Sequence, residues 1–161
     1  MVQLNPHLVA VNLNCYGHSG PWKSRPVFEP LAQTVSGMAI AQRENGIPQL
    51  GPTYPNDYLT GYLATLGVLM ALEIQGREGG AWQVDVSLCR TAIWVLQQGS
   101  LNHCRTTEPM DEAFAIRCIA TETEPFREMQ YFNTALELER TPLRFTSPVL
   151  PLGLRIPVWI D

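Results

Sequence analysis

Residues 57–88 read DYLTGYLATLGVLMALEIQGREGGAWQVDVSL, and this stretch decides the fold. Between Asp57 and Glu73 it carries no charge and no proline. Gly61, Ala64, Val68 and Ala71 recur at helical spacing and form a stripe of small residues that would let another backbone approach. Gly61 and Gly67 each lower helix propensity by about 1 kcal/mol relative to alanine, so packing has to compensate. The spacing predicts a helix over Asp57–Gln75, with the Asp57 carboxylate as N-cap for the unpaired amides of the first turn. Gly79 or Gly80 then lets the chain reverse. From Trp82 to Leu88 the pattern changes to strict alternation. Trp82, Val84, Val86 and Leu88 share one face, and Gln83, Asp85 and Ser87 the other, which reads as a strand with one polar face.

Outward from this pair, Leu8–Leu13 is a short β-branched apolar run between Pro6 and Gly17 and reads as a buried strand. Residues 15–26 form a loop broken by glycine and proline. Phe28, Leu31, Val35, Met38 and Ala39 predict a helix over Phe28–Gln42. Residues 46–55 are loop. Ser87 to Leu101 reads as a second core helix. Residues 105–112 are polar linker, Phe126–Leu138 holds one or two strands, and Pro142–Trp159 is proline-spaced and extended. The order strand, helix, helix, strand, helix is part of an α/β layer, with too few strands to complete a doubly wound sheet. A strand opening so early and needing neighbours suggests that an upstream half is absent.

The 161 residues are enough for one domain, and 45% apolar with 16% charged residues is a globular composition. A net charge of −4 without any basic run gives no reason to expect nucleic acid or an anionic membrane surface as partner. No stretch approaches about 18 uninterrupted apolar residues, so no membrane span is expected. The N-terminus lacks the positive flank of a signal peptide, and the cytoplasm is the expected location. Cys15, Cys89, Cys104 and Cys118 form no CxxC pair and read as buried or neutral thiols. His7, His18 and His103 lack ligand spacing, so no metal site is expected.

One place can carry chemistry. A carboxylate at a helix N-terminus lies in the positive end of the helix dipole, which favours its ionised form. Held ionised, Asp57 is a competent nucleophile toward an activated acyl group. The amides of Leu59 and Thr60 are candidates to stabilise an oxyanion beside it. By residue physics alone, an ordinary cap is the commoner explanation of the same carboxylate, because Asp is a frequent N-cap. His18, in a glycine-rich loop, is placed either to touch a phosphate or simply to face solvent. Cys89 and Trp94 are core residues by default.

Several segments together resemble the family III CoA-transferases, the carnitine dehydratase and formyl-CoA transferase family. LVAVNLNCYGHSGP is similar to a family strand that ends in a glycine-aromatic-glycine loop, with Cys15 where the first glycine stands. RPVFEPLAQTVSG, Arg25–Gly37, is similar to its glutamine-bearing helix. YPNDYLTGYLATLGVLMALE matches the helix that opens with the catalytic aspartate. REGGAWQVDVSLCRTAIWVL and LERTPLRFTSPVLPLGLRIPVW resemble two later segments. They occur in family order over nearly the whole chain.

The resemblance implies a partial Rossmann-like α/β layer with an extended C-terminal segment. Residues 1–104 would belong to the large domain, 105–140 to a linker and shortened small domain, and 141–161 to the tail. The N-terminal half of the family fold has no counterpart here, which marks the chain as a fragment or one half of a split enzyme. The implied reaction moves CoA from an acyl-CoA to a carboxylate acceptor through an aspartyl-CoA thioester. Asp57 is the nucleophile, and Glu29, Phe28 and Tyr16 are substrate-binding positions. CoA thioester is substrate, with no tightly bound cofactor, and the partner is a second copy or a companion chain. Related acyl-CoA racemases carry a catalytic histidine where this chain has Phe28, and proton shuttling needs a titratable group. A non-catalytic module that docks onto a full-length relative is the alternative.

Overall fold

A computed structural model describes residues 5–100, 111–124, 127–134, 136, 138–143 and 152–154. The chain divides into two compact units, Met1–Asn102 and His103–Asp161.

The first unit is an α/β layer. Strand β1, Val9–Asn14, pairs in parallel with β2, Trp82–Ser87, in a register that runs from Val9 opposite Trp82 to Asn14 opposite Ser87. Parallel neighbours need a crossover. Here it carries three helices: α1, Glu29–Ser36; α2, Met38–Ala41; and α3, Pro55–Glu78. Helix α4, Leu88–Gln97, leaves β2 without a connecting loop, because the Ser87 side chain accepts from the Arg90 amide and caps it. Helix α3 packs on both strands and on α4, and α1 packs on α4. Cys15, Ala32, Leu88 and Cys89 form the buried cluster where these elements meet, with Tyr16 and Val27 against it.

Three sequence expectations change. The helix over Phe28–Gln42 is two helices, because Gly37 adopts φ 86° and ends α1 with its amide on the Thr34 carbonyl. A left-handed residue cannot continue a helix. The close approach on α3 falls at Gly67, not Gly61. A methyl group at Gly67 would lie 2.5 Å from Val84 Cγ1, whereas Gly61 has open space. The buried stripe is accordingly Asn56, Thr60, Ala64 and Ala71. Finally, α3 is long and apolar enough to cross a membrane by length and composition, which the sequence reading had not found in any stretch. Its small-residue face packs on the sheet, while Tyr58, Tyr62, Leu66, Leu69 and Met70 stay exposed.

In the second unit, α5 (Glu112–Arg117) is capped by the Asp111 side chain. It leads into an antiparallel hairpin of β3, Ile119–Glu124, and β4, Arg127–Phe132. The hairpin begins earlier than the Phe126–Leu138 expectation. Most of the extended tail expected over 141–161 lies outside the described residues.

Candidate active site

The start of α3 is fixed from a distance. Proline cannot donate and its φ is preset for the first helical position, so the helix opens at Pro55, with Tyr54 as N-cap residue. Tyr54 makes no side-chain cap bond. The cap comes instead from Glu29 of α1. Its Oε1 accepts from the Asn56 amide at 3.2 Å and from Asn56 Nδ2 at 2.9 Å. Its Oε2 accepts from Gln33 Nε2 at 2.8 Å. Gln33 in turn holds the preceding loop, accepting from the Gly51 amide at 2.8 Å and donating to the Thr53 carbonyl at 3.2 Å. Glu29 is 3% exposed, Gln33 1% and Asn56 0%. Unpaired polar groups at that depth would be costly, so the network specifies a single arrangement of loop and helix start. Asn56 Oδ1 is buried without a partner among the described residues.

Asp57 therefore lies in the first turn rather than at the N-cap, and its side chain is exposed. Two further expectations are corrected. With the helix opening at Pro55, the Leu59 and Thr60 amides are committed to carbonyls one turn back and are not free oxyanion donors. The Asp57 amide is the first-turn donor left over. Glu29 is sealed behind its three N–H donors, so it positions the helix start instead of contacting a substrate.

Phe28 is 83% exposed and directly precedes α1. Tyr16 is half-buried, edge-on to Trp22 with ring centroids 5.1 Å apart, and lines a groove of about 380 Å³ with Trp22, Val35, Cys89 and Ile93. The charges of Asp57 and Glu29 both act on Cys15, the residue before Tyr16. A larger groove, about 1260 Å³, lies in the second unit among Phe114, Arg117, Cys118, Phe132 and Leu143, and none of these positions lines it.

His18 is exposed, as the solvent-facing reading expects, but its ring is hydrogen-bonded. Its Nε2 lies 3.1 Å from the Val86 carbonyl, which can only accept, so Nε2 carries the proton. Nδ1 then accepts from Asn14 Nδ2 at 3.1 Å. Asn14 is itself oriented by Gly17, through its Oδ1 to the Gly17 amide and its Nδ2 to the Gly17 carbonyl. The imidazole latches the loop onto the end of β2.

The sequence reading missed Gln33 and Asn56 as parts of the site. Asn56 stood next to the candidate nucleophile, but its partner is 27 positions away, and no local motif records that pairing. It also missed that Thr60 donates to Thr91 Oγ1 at 2.8 Å, a buried bond that ties α3 to α4 beside the site. Among the described residues, no group of acidic, histidine or cysteine side chains is arranged to hold a metal ion.

The model of the family described as CoA-transferase family III matches residues 1–151. The beta subunit of succinyl-CoA–L-malate CoA-transferase from Chloroflexus aurantiacus is 35% identical over 88 residues, covering 53% of this chain and 22% of that protein. Its alpha subunit is 28% identical over 96 residues, 58% of this chain and 22% of that protein. A crystal structure from Mycobacterium tuberculosis superposes with a TM-score of 0.56 at 30% identity, over 60% of this chain and 28% of that one. A CaiB/BaiF family protein from Brucella suis shares the fold, with a TM-score of 0.56 at 24% identity over 60% of this chain and 26% of that one. The matched part thus spans little more than a fifth of the curated relatives' length.

Proposed function

Because this chain belongs to CoA-transferase family III, we propose that it supplies the nucleophile-bearing part of an acyl-CoA:carboxylate CoA-transferase, with Asp57 as the nucleophile. The carboxylate attacks the thioester carbonyl and expels CoA thiolate, leaving a mixed anhydride on Asp57. The thiolate attacks the aspartyl carbonyl of that anhydride, releases the donor carboxylate and forms an aspartyl-CoA thioester. An acceptor carboxylate then reverses both steps and leaves as its CoA ester. The observation that carries this reading is an exposed carboxylate in the first turn of a long helix, whose start is pinned by buried Glu29 and Asn56. A nucleophile on a rigidly seated helix end loses little orientational entropy on attack. The helix dipole and the Asp57 amide favour negative charge there.

A companion chain or a second copy completes the fold. In favour of this are the open apolar face of α3, the two-stranded sheet and the relatives that carry separate alpha and beta subunits. The test uses the chain co-purified with its companion and succinyl-CoA as first donor. Asp57→Asn is expected to lower transfer at least about a thousandfold. The wild type should gain a covalent CoA adduct on the peptide that contains Asp57. Transfer retained in the variant, or an adduct elsewhere, overturns the assignment.

The second reading is a non-catalytic assembly module, favoured by the same uncovered helix face. It expects a complex whose transfer rate is unchanged by Asp57→Asn. Racemase chemistry is disfavoured by Phe28, which is apolar and carries no transferable proton. Absence of solvent deuterium at the substrate α-carbon is the expected result.

A further inference from the structure

We propose that Cys15 and Cys89 are a disulfide-forming pair, in which Cys89 meets the oxidant and Cys15 closes the bond. The two sulfurs lie 3.9 Å apart, although the residues are 74 positions apart in sequence. Both side chains are buried, at 6% and 8% exposure. Just beyond the last β1–β2 pair, Asn14 opposite Ser87, the Cys89 amide in the first turn of α4 donates to the Cys15 carbonyl at 2.9 Å. A disulfide needs Cα atoms about 4.4–6.8 Å apart, and this backbone hydrogen bond holds the two main chains side by side. The sulfurs then have to close from 3.9 Å to the roughly 2.05 Å of an S–S bond.

The two thiols are not equivalent. Burial, the neighbouring Cys89 sulfur and then the charges of Asp57 and Glu29 push Cys15 up to about 12. Burial also raises Cys89, but the hydrogen bond from Cys15 works the other way and favours its thiolate. Cys89 lines the groove with Tyr16 and Trp22, which gives a small oxidant a route to it. Oxidation thus starts at Cys89.

With hydrogen peroxide, the Cys89 thiolate attacks one oxygen, the O–O bond breaks, and hydroxide leaves and takes up a proton. The product is a sulfenic acid. The Cys15 sulfur displaces the hydroxyl group, the S–O bond breaks as S–S forms, and the proton from Cys15 leaves with it as a second water. Two thiols and one peroxide give one disulfide and two waters, with sulfur oxidised by two electrons and peroxide reduced by two. A dithiol reductant reverses the change. The bond would join the residue before Tyr16 to the first turn of α4, at the groove that Tyr16 and Cys89 line.

The full reduced chain is treated with hydrogen peroxide, alkylated with N-ethylmaleimide and mapped by peptide mass. The expected product is a linked Cys15–Cys89 peptide pair, lighter by two hydrogens, with Cys118 still alkylated. Its rate should rise about tenfold per pH unit while Cys89 is mainly a thiol. Cys15→Ser is expected to stop at a dimedone-reactive Cys89, and Cys89→Ser to leave Cys15 reduced. In concentrated urea the preference for this pair should vanish. Both thiols alkylated after peroxide treatment, Cys89 carried to sulfinic acid beside an alkylated Cys15, or a link between two chains overturns the proposal. The wild-type map decides even where a variant does not fold.

Discussion

The two faces of α3 are built from opposite rules. One carries Asn56, Thr60, Ala64, Gly67 and Ala71, all small or hydrogen-bonded, and lies against β2, β1 and α4. The other carries Tyr58, Tyr62, Leu66, Leu69 and Met70, all large and all exposed. On the closed face, size decides stability, because the backbone of α3 sits within van der Waals reach of the sheet. On the open face apolar area is present, but nothing among the described residues of the first unit removes it from water. The same helix thus holds a finished interface and an unused one, and its length and polarity alone do not separate the two.

The comparison can be broken most forcefully at Gly67. Gly67→Leu drives a side chain into Val84 and is expected to destabilise the chain by about 3 kcal/mol or more, or to prevent folding. Urea unfolding measures it, and an unchanged midpoint would remove the distinction between the faces. A smaller effect is expected for Thr60→Val. It keeps the shape but takes the hydroxyl from Thr91, at a cost of about 1–2 kcal/mol in the same assay. The smallest belongs to the open face. Leu66→Asn should change the stability of the isolated chain by less than about 0.5 kcal/mol, while weakening its capture of a companion chain in size-exclusion chromatography. A large loss of stability there would mean that the face is already covered.

How much of this was legible depended on the distance over which each residue is satisfied. Helix α3 and strand β2 follow from periodicity, because their apolar spacing is a local property. The α/β class follows from their order. The N-cap did not. Asp57 has the right residue type, but Pro55 sets the helix start two positions earlier, and the cap bond arrives from Glu29 in another helix. Gly61 and Gly67 look equivalent in sequence, and only the register of α3 over Val84 separates them. The assignment of Asp57, Glu29 and Tyr16 to one site rested on likeness to a family, since nothing in the spacing of residues 16, 29 and 57 implies it. The proximity of Cys15 to Cys89 was invisible because it comes from strand pairing across the whole crossover.

The β1–β2 sheet ends on two unpaired edges among the described residues, each a row of backbone donors and acceptors. Any strand that adds to one of them binds the folded chain and not the unfolded one. By mass action the melting temperature then becomes a function of that strand's concentration rather than a constant of the polypeptide. The abundance of this protein in a cell would accordingly follow the supply of its binding strand, with unpaired copies left to proteolysis.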